Sequence, residues 1–325
     1  MTARTAGAFA PATITNFFAI HYDRVTDKDL SRAGATGGGY ILSRGVVTKV
    51  IALGEAGPTS LEIAVNGDTK YEARTTRAAL KLMLENVPMP PSKLVVEQQV
   101  DVPIGFGFGA SAASALSAVF ATSAALGLRI QKEHAALYAH EAEIIQQTGL
   151  GTVSAAYDGV GAGVVYEPGA PGVAKFMNVD VPRGLRIVTA ALAPWRLSGL
   201  LSSRRKVALV SRLGSEALGR VVREPTIERM AKEGEWFTRR LGMMTPEVRS
   251  LVRSAISAGA IHASQNMLGQ AMHALVPIRR VAAVVKALNA SALGPRVDVF
   301  EIGTQRAGVT SVAELRYPTV TSSLA

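Results

Sequence analysis

The chain has 325 residues, 48% apolar and 18% charged, enough apolar material for one large core or two ordinary domains and too much for disorder. The absence of cysteine excludes disulfides, zinc–thiolate sites, iron–sulfur clusters and cysteine nucleophiles, and leaves five histidines as the only soft ligands. The formal charge of +10 is concentrated between Arg183 and Arg253, where fifteen basic residues stand against six acidic ones. Their interleaving with apolar residues and Glu predicts a solvated helical face, with an electrostatic funnel for an anionic substrate as the alternative.

The opening MTARTAGAFAPATITNFF contains no uninterrupted apolar run and no cleavage pattern, so neither a secretory signal nor a transit peptide is expected, and the expected location is cytoplasmic. Short apolar runs punctuated by Gly and Pro predict strands over 8–20, 40–53, 60–65 and 93–102, with one amphipathic helix over 75–84. Two helices are predicted within 110–147, broken at Gly127 and Leu128 and ended by Gly149 and Gly151. The stretch 110–128, ASAASALSAVFATSAALGL, has the length of a membrane span but is dominated by Ala and Ser, so a buried helix is expected and no membrane association. A short strand over 163–166 and a further strand over 185–192 follow. Beyond them the chain reads as helical, over 203–222, 226–241, 246–257 and 278–288, until a last strand over 296–302. Strands and helices in two halves predict an α+β protein with a boundary near Pro182.

The sharpest local feature is PIGFGFGASAA, residues 103–113, after a predicted strand and opening a helix. Three alternate glycines let backbone N–H groups converge, and the helix N-terminus adds its positive end, an arrangement suited to a polyphosphate. A small-residue turn that merely lets the helix pack closely is the competing reading. Other motifs fit less well. Residues 107–112 match G-x-G-x-x-A, but a helix and not a strand follows; there is no Gly-Lys pair for a Walker loop; and a nucleophile elbow at 109–113 lacks its second glycine. On the next helix His140 and Glu143 share a face at i,i+3, which suits either a surface pair or a site. Aromatic residues are 6% of the chain and do not interleave with basic runs, so nucleic acid is not an expected partner.

Pro103 with Gly107 to Ala113 resembles the P-x-x-x-G-L-G-S-S-A-A motif of the GHMP kinases, and Ala10 to Phe18 resembles their first motif. Within that superfamily the chain is similar to archaeal pantoate kinases. The likeness runs through the Gly-rich turn of Gly34 to Gly39, the run Gly105 to Ser111, Ala139 to Glu143, Gly149-Leu150-Gly151, Glu224-Pro225, Met267-Leu268-Gly269 and Val299 to Ile302. The resemblance implies an α+β, two-domain GHMP kinase-like fold with a phosphate loop at a helix N-terminus, residues 1–182 forming an ATP-binding domain and 183–325 a C-terminal domain. It implies transfer of the ATP γ-phosphoryl group to the 4-hydroxyl of pantoate, in coenzyme A biosynthesis, with Mg²⁺. Gly105, Gly107, Gly109, Ala110, Ser111 and Ala112 would cradle the phosphates, Ser111 and Glu143 would hold the metal, and His140 would meet the substrate. A homodimer stays open.

Three positions depart from the pattern. Thr152 stands where Gly-Leu-Gly is followed by an acid, and Asp158 is the nearest candidate to replace it as base. The Ala35-Thr36 pair replaces a serine of the first Gly-rich turn, with Thr36 able to serve. Val164 falls near the place of a carboxylate-binding arginine, for which Arg44 is the candidate substitute. A GHMP-type kinase of another small hydroxy acid, or a non-catalytic nucleotide or polyanion binder, are the alternatives these departures favour.

Overall fold

The computed structural model describes residues 3–22, 28–54, 58–194, 203–267 and 269–311. In chain order the first half holds β1 (Arg4–His21), β2 (Gly34–Gly54), β3 (Ser60–Val65), α1 (Arg74–Asn86), β4 (Ser92–Val100), α2 (Ala110–Leu126), α3 (Lys132–Ile145), α4 (Thr152–Asp158), β5 (Ala162–Glu167) and β6 (Lys175–Val179). The second half holds β7 (Leu185–Pro194), α5 (Arg204–Arg223), α6 (Ile227–Leu241), α7 (Pro246–Ser257), β8 (His262–Gln265), β9 (Gly269–Pro277), α8 (Val281–Asn289), β10 (Arg296–Phe300) and β11 (Gly308–Thr310). A seven-stranded sheet runs β11-β1-β2-β4-β3, with β5 on β2 and β6 on β5, and a four-stranded sheet runs β10-β7-β9-β8. Among the described strands only β3 and β4 pair in parallel.

The expected α+β architecture is present, and strand 60–65 and helix 246–257 fall where the sequence pattern puts them. The second half has the four helices expected of it, but also two strands in the segment between the third and fourth that the sequence pattern leaves unassigned. β8 and β9 complete its sheet, and β9 (GQAMHALVP) is buried on both faces, so it lacks polar alternation and carries a single β-branched residue, Val276. The glycines 34–39, expected as a turn, instead begin β2. A Cβ at Gly39 would collide with the Ile14 carbonyl, and one at Gly38 would lie 2.8 Å from both Phe17 Cζ and Val164 Cγ1, so glycine is what lets β1 and β5 approach β2 so closely.

β1 is the hub. Its pairing with β2 shifts register between Pro11 and Thr13 and again between Thr15 and Phe17, bulges that turn the strand and re-aim its side chains. On one side of β1 lies α2, whose small residues are buried around almost the whole helix. A buried polar network ties it to the sheet: Thr48 and Ser117 hydroxyls meet at 2.6 Å, and the Gln98 amide donates to Thr48 Oγ1 and the Ser114 carbonyl, each at 2.9 Å, while the Thr122 hydroxyl is buried without a partner. On the other side α5 and α6 rest on β1 through Gly214 and Gly234, whose added Cβ atoms would strike Phe18 and Asn16. One hydrophobic cluster accordingly reaches from Ile14 and Leu116 to Leu213, Phe237 and Phe300, while a smaller one lies between α7, α8 and the strands β7, β8 and β9 of the second sheet. The surplus arginines of α5 and α6 are partly neutralised in place. Arg220 and Arg229 both pair with the buried Glu233, at 2.9 and 3.4 Å.

Candidate active site

The loop 103–109 joins β4 to α2, and Gly105, Gly107 and Gly109 all adopt positive φ, +87°, +80° and +63°. Glycine is required at two of them for space as well. A Cβ at Gly107 would collide with the Met267 carbonyl, and one at Gly109 would lie 2.5 Å from Thr13 Oγ1 and 2.8 Å from Thr152 Cγ2. The Thr13 N–H donates to the Phe108 carbonyl at 3.0 Å, tying the loop to the first bulge of β1. No side chain caps α2, so its first-turn N–H groups present an unneutralised positive end. Ala110 and Ala112 are buried, and Ser111 between them is half-buried.

The Glu143 carboxylate, reached from α3, is 1% exposed. It accepts from the Val153 N–H at 3.2 Å and from the hydroxyl and N–H of Thr152, at the start of α4. It lies so close over Gly149 that a Cβ there would collide with Oε1. Burial pushes its pKa up to about 7 against those three donors. Thr152 therefore links two sequence motifs: its methyl faces Gly109 and its hydroxyl faces Glu143.

Beside this junction opens a cavity of about 700 Å³, counting the solvent space at its opening. Its polar wall is neutral, made of Thr13, Thr15, Thr36 and Thr152 with the backbone of 37–39 and 149–151; Phe18, Val165 and Phe176 are among its apolar wall. Among the described residues no charged side chain lines it. The chemistry of the donor set suits a nucleotide with Mg²⁺: positive-φ glycines and a bare helix N-terminus for phosphate, and one carboxylate with one nearby hydroxyl for a metal that keeps phosphate and water ligands. Among the described residues no three acidic or His side chains gather as a self-sufficient metal site.

Thus Gly109 and Glu143 meet through Thr152, with Thr36 on the cavity wall beside it and the loop Gly105 to Ala112 running past Gly109 into α2, while three expected site residues are elsewhere. His140 is fully buried and off the cavity wall; its Nε2 donates to the carbonyls of Leu30 and Ala33 at 3.2 and 3.0 Å, anchoring the segment before β2. Arg44 donates to the Val299 carbonyl at 2.8 Å and lies 4.1 Å over the Phe300 ring, so it fastens β2 to β10 and contacts no part of the cavity. Asp158 ends the helix that Thr152 begins, about 9 Å further along its axis, beside Lys132, Glu133 and Arg306. It is not placed to act at Thr152. Sequence reasoning missed the hydroxyls of Thr13 and Thr15, which the bulges of β1 aim into the cavity, and the His21 ring, whose Nε2 is 2.9 Å from Thr36 Oγ1. The Thr-x-Thr alternation after Pro11 was the available signal.

Residues 74–159 match the model of the GHMP kinases N terminal domain. The chain is 30% identical to a pantoate kinase of Thermococcus kodakarensis, across 92% of this chain and 96% of that protein, and 29% identical to a pantoate kinase of Methanospirillum hungatei, across 82% and 86%. A solved structure described as a phosphotransferase related to the CoA biosynthesis pathway superposes with a TM-score of 0.81 at 28% identity, covering 94% of this chain and 98% of that one. Among the described residues no helix is long and apolar enough to cross a membrane.

Proposed function

Since this chain belongs to the GHMP kinases, among their pantoate kinases, we propose that it transfers the γ-phosphoryl group of ATP to the 4-hydroxyl of pantoate. The products are 4-phosphopantoate, the step that feeds coenzyme A synthesis, and ADP. The observation that carries this reading is the meeting of Gly109, Thr152 and Glu143 at the mouth of an otherwise neutral cavity. The loop 105–109 and the start of α2 hold the phosphates, with Ser111 and Glu143 toward Mg²⁺, and the cavity beyond Thr152 takes the acceptor. The acceptor hydroxyl attacks the γ-phosphorus in line, the bridging β–γ P–O bond breaks, ADP leaves with that oxygen, and the hydroxyl proton passes to solvent water. Bound Mg²⁺ supplies neutralisation of the charge that spreads over the phosphoryl oxygens. The protein's part is positioning, which is what a rigid loop and a walled cavity provide. The reading includes two domains, 1–182 with the nucleotide elements and 183–325; the four-stranded sheet lies wholly in the second, while β11 of the second pairs with β1 of the first.

A second reading, a kinase of another small hydroxy acid, is favoured by one observation. Pantoate brings a carboxylate, and the described cavity wall offers it hydroxyls and N–H groups but no cation. Phosphate transfer to pantoate, pantolactone, mevalonate and homoserine at equal concentration decides between them. Preferential use of pantoate supports the first reading. Preference for another acceptor leaves the kinase and removes pantoate, and nucleotide binding with no transfer to any leaves a non-catalytic binder.

A further inference from the structure

A buried polar chain joins the second sheet to the phosphate loop, and no part of the reading above uses it. Asn266, at the tip of the β8–β9 hairpin, is fully buried, and its Nδ2 lies 3.3 Å from the Phe106 carbonyl in the middle of the loop. Its Oδ1 lies 2.9 Å from Nδ1 of His273 on β9, which is 3% exposed. The directions of both bonds follow from chemistry. A backbone carbonyl only accepts, so the Asn266 amide must point its NH₂ at Phe106; its oxygen then faces His273, and the imidazole proton must sit on Nδ1. Desolvation holds the His273 pKa down to about 3, so this ring is neutral and its tautomer is fixed by the partner. The hairpin is also seated on the loop sterically: a Cβ at Gly107 would come within 3.1 Å of Asn266 Cβ and collide with the Met267 carbonyl, and a Cβ at Gly269 would collide with the Phe106 carbonyl. Tyr40, whose strand also lines the acceptor cavity, stacks edge-on against His273 with ring centroids 5.5 Å apart.

We propose that His273 and Asn266 are positioning residues for the phosphate loop. His273 orients the Asn266 amide, Asn266 holds the Phe106 carbonyl inward, and the N–H groups of 105–109 are thereby turned toward the phosphates. Peptide units are planar, so fixing one carbonyl fixes the direction of the N–H that follows it, here that of Gly107. The inference rests on the phosphate-loop reading of residues 105–109. It predicts a larger effect on nucleotide binding than on acceptor binding, because the polar chain ends at the Phe106 carbonyl, whereas the hairpin meets the acceptor cavity only through Met267, whose N–H lies 3.5 Å from the Thr15 carbonyl, and through Tyr40.

The test uses the full chain, with the dissociation constant of ADP measured by calorimetry, the KM values for ATP and pantoate, and the melting temperature. Asn266→Asp keeps shape but sets a carboxylate against a carbonyl. His273→Phe keeps the ring against Tyr40 and removes the donor. His273→Asn restores an N–H near the position of Nδ1. The expected result is ADP binding weaker by about tenfold in the first two variants, the scale of one buried hydrogen bond lost with its partner stranded. The pantoate KM stays within about twofold, and His273→Asn recovers most of the loss. Unchanged ADP affinity in Asn266→Asp and His273→Phe overturns the proposal. So does a parallel rise of both KM values with a lowered melting temperature, which marks a merely structural contact. Wild-type protein that binds neither ADP nor ATP removes the phosphate-loop reading itself, a result distinct from either of those.

Discussion

Gly109 is the wall between two regions, the phosphate loop on one side and the acceptor cavity on the other, and the two are built differently. The loop is made of residues with a single admissible identity: Gly107 and Gly109 have positive φ and no room for a Cβ. The cavity is made of residues that could have been many things, four threonines and a set of apolar side chains. Binding phosphate asks for backbone N–H groups in one geometry, which constrains the main chain. Binding a small branched acid asks for shape, which several side-chain sets can supply. A family can therefore hold its loop fixed while the acceptor side drifts, and the departures at Thr36 and Thr152 lie on the cavity wall, whereas Val164 is buried off it between the lining residues Gly163 and Val165.

The largest effect expected on this contrast comes from Gly107→Val. A β-branched residue at φ +80° facing the Met267 carbonyl costs several kcal/mol, on the order of 3 or more, and the loop must leave its seat. Loss of nucleotide binding in calorimetry, with the helical circular dichroism retained, is the expected result. If the Gly107→Val variant still binds ADP with wild-type affinity, the idea that the loop is constrained by its backbone is broken.

Ser111→Ala comes next, since it removes a hydroxyl from the first turn of α2 without disturbing buried neighbours. We expect kcat to fall by about 10²-fold while the melting temperature moves by less than about 2 °C. Equal turnover in the two proteins would reduce this end of the loop to packing.

Glu143→Gln separates charge from shape at the junction. In metal-free protein the folded state keeps the Glu143 proton up to about pH 7, whereas a carboxyl at its ordinary value of 4.5 has lost it. Between those values the folded state binds the extra proton, so stability falls as pH rises through that window. Glu143→Gln should flatten this part of the melting-temperature curve, and wild-type Mg²⁺ affinity should weaken as pH falls below about 7. A pH profile shared by both proteins would show that the carboxyl does not titrate there.

The same contrast explains which parts of the molecule were legible in the sequence. The loop glycines were readable because their requirement is local, a positive φ between a strand and a helix. The roles of His140 and Arg44 were not, because their partners are remote in sequence: His140 bonds carbonyls 107 and 110 residues away, and Arg44 a carbonyl 255 residues away. His140 and Glu143 do share a face of α3, yet one holds the segment before β2 and the other the start of α4, a difference no spacing rule contains. β9 escaped notice for a related reason, since a strand buried on both faces loses the alternation by which strands are recognised. Asn266 and His273 likewise come together only through the hairpin between β8 and β9.

The smallest expected change, paired with a gain, addresses the missing acid. Asp158 lies at the far end of α4 with Lys132, Glu133 and Arg306 around it, so Asp158→Asn should leave turnover within about twofold. Thr152→Asp introduces an acid at the position that faces both Gly109 and Glu143. A positioned base contributes about 10² to 10⁴ in favourable cases, but the new carboxylate sits against the existing one, and like charges at that range raise each other's pKa. The gain should therefore appear only with Mg²⁺ present to hold both carboxylates ionised, and it should grow with pH above about 7. The measurement is kcat against pH for the wild type and Thr152→Asp at saturating Mg²⁺. A rise of about tenfold or more at the alkaline end means that the natural threonine leaves proton removal to solvent. An unchanged kcat means that attack by the acceptor hydroxyl needs no protein base, so that the positioning by the loop and cavity walls is the whole of the catalysis.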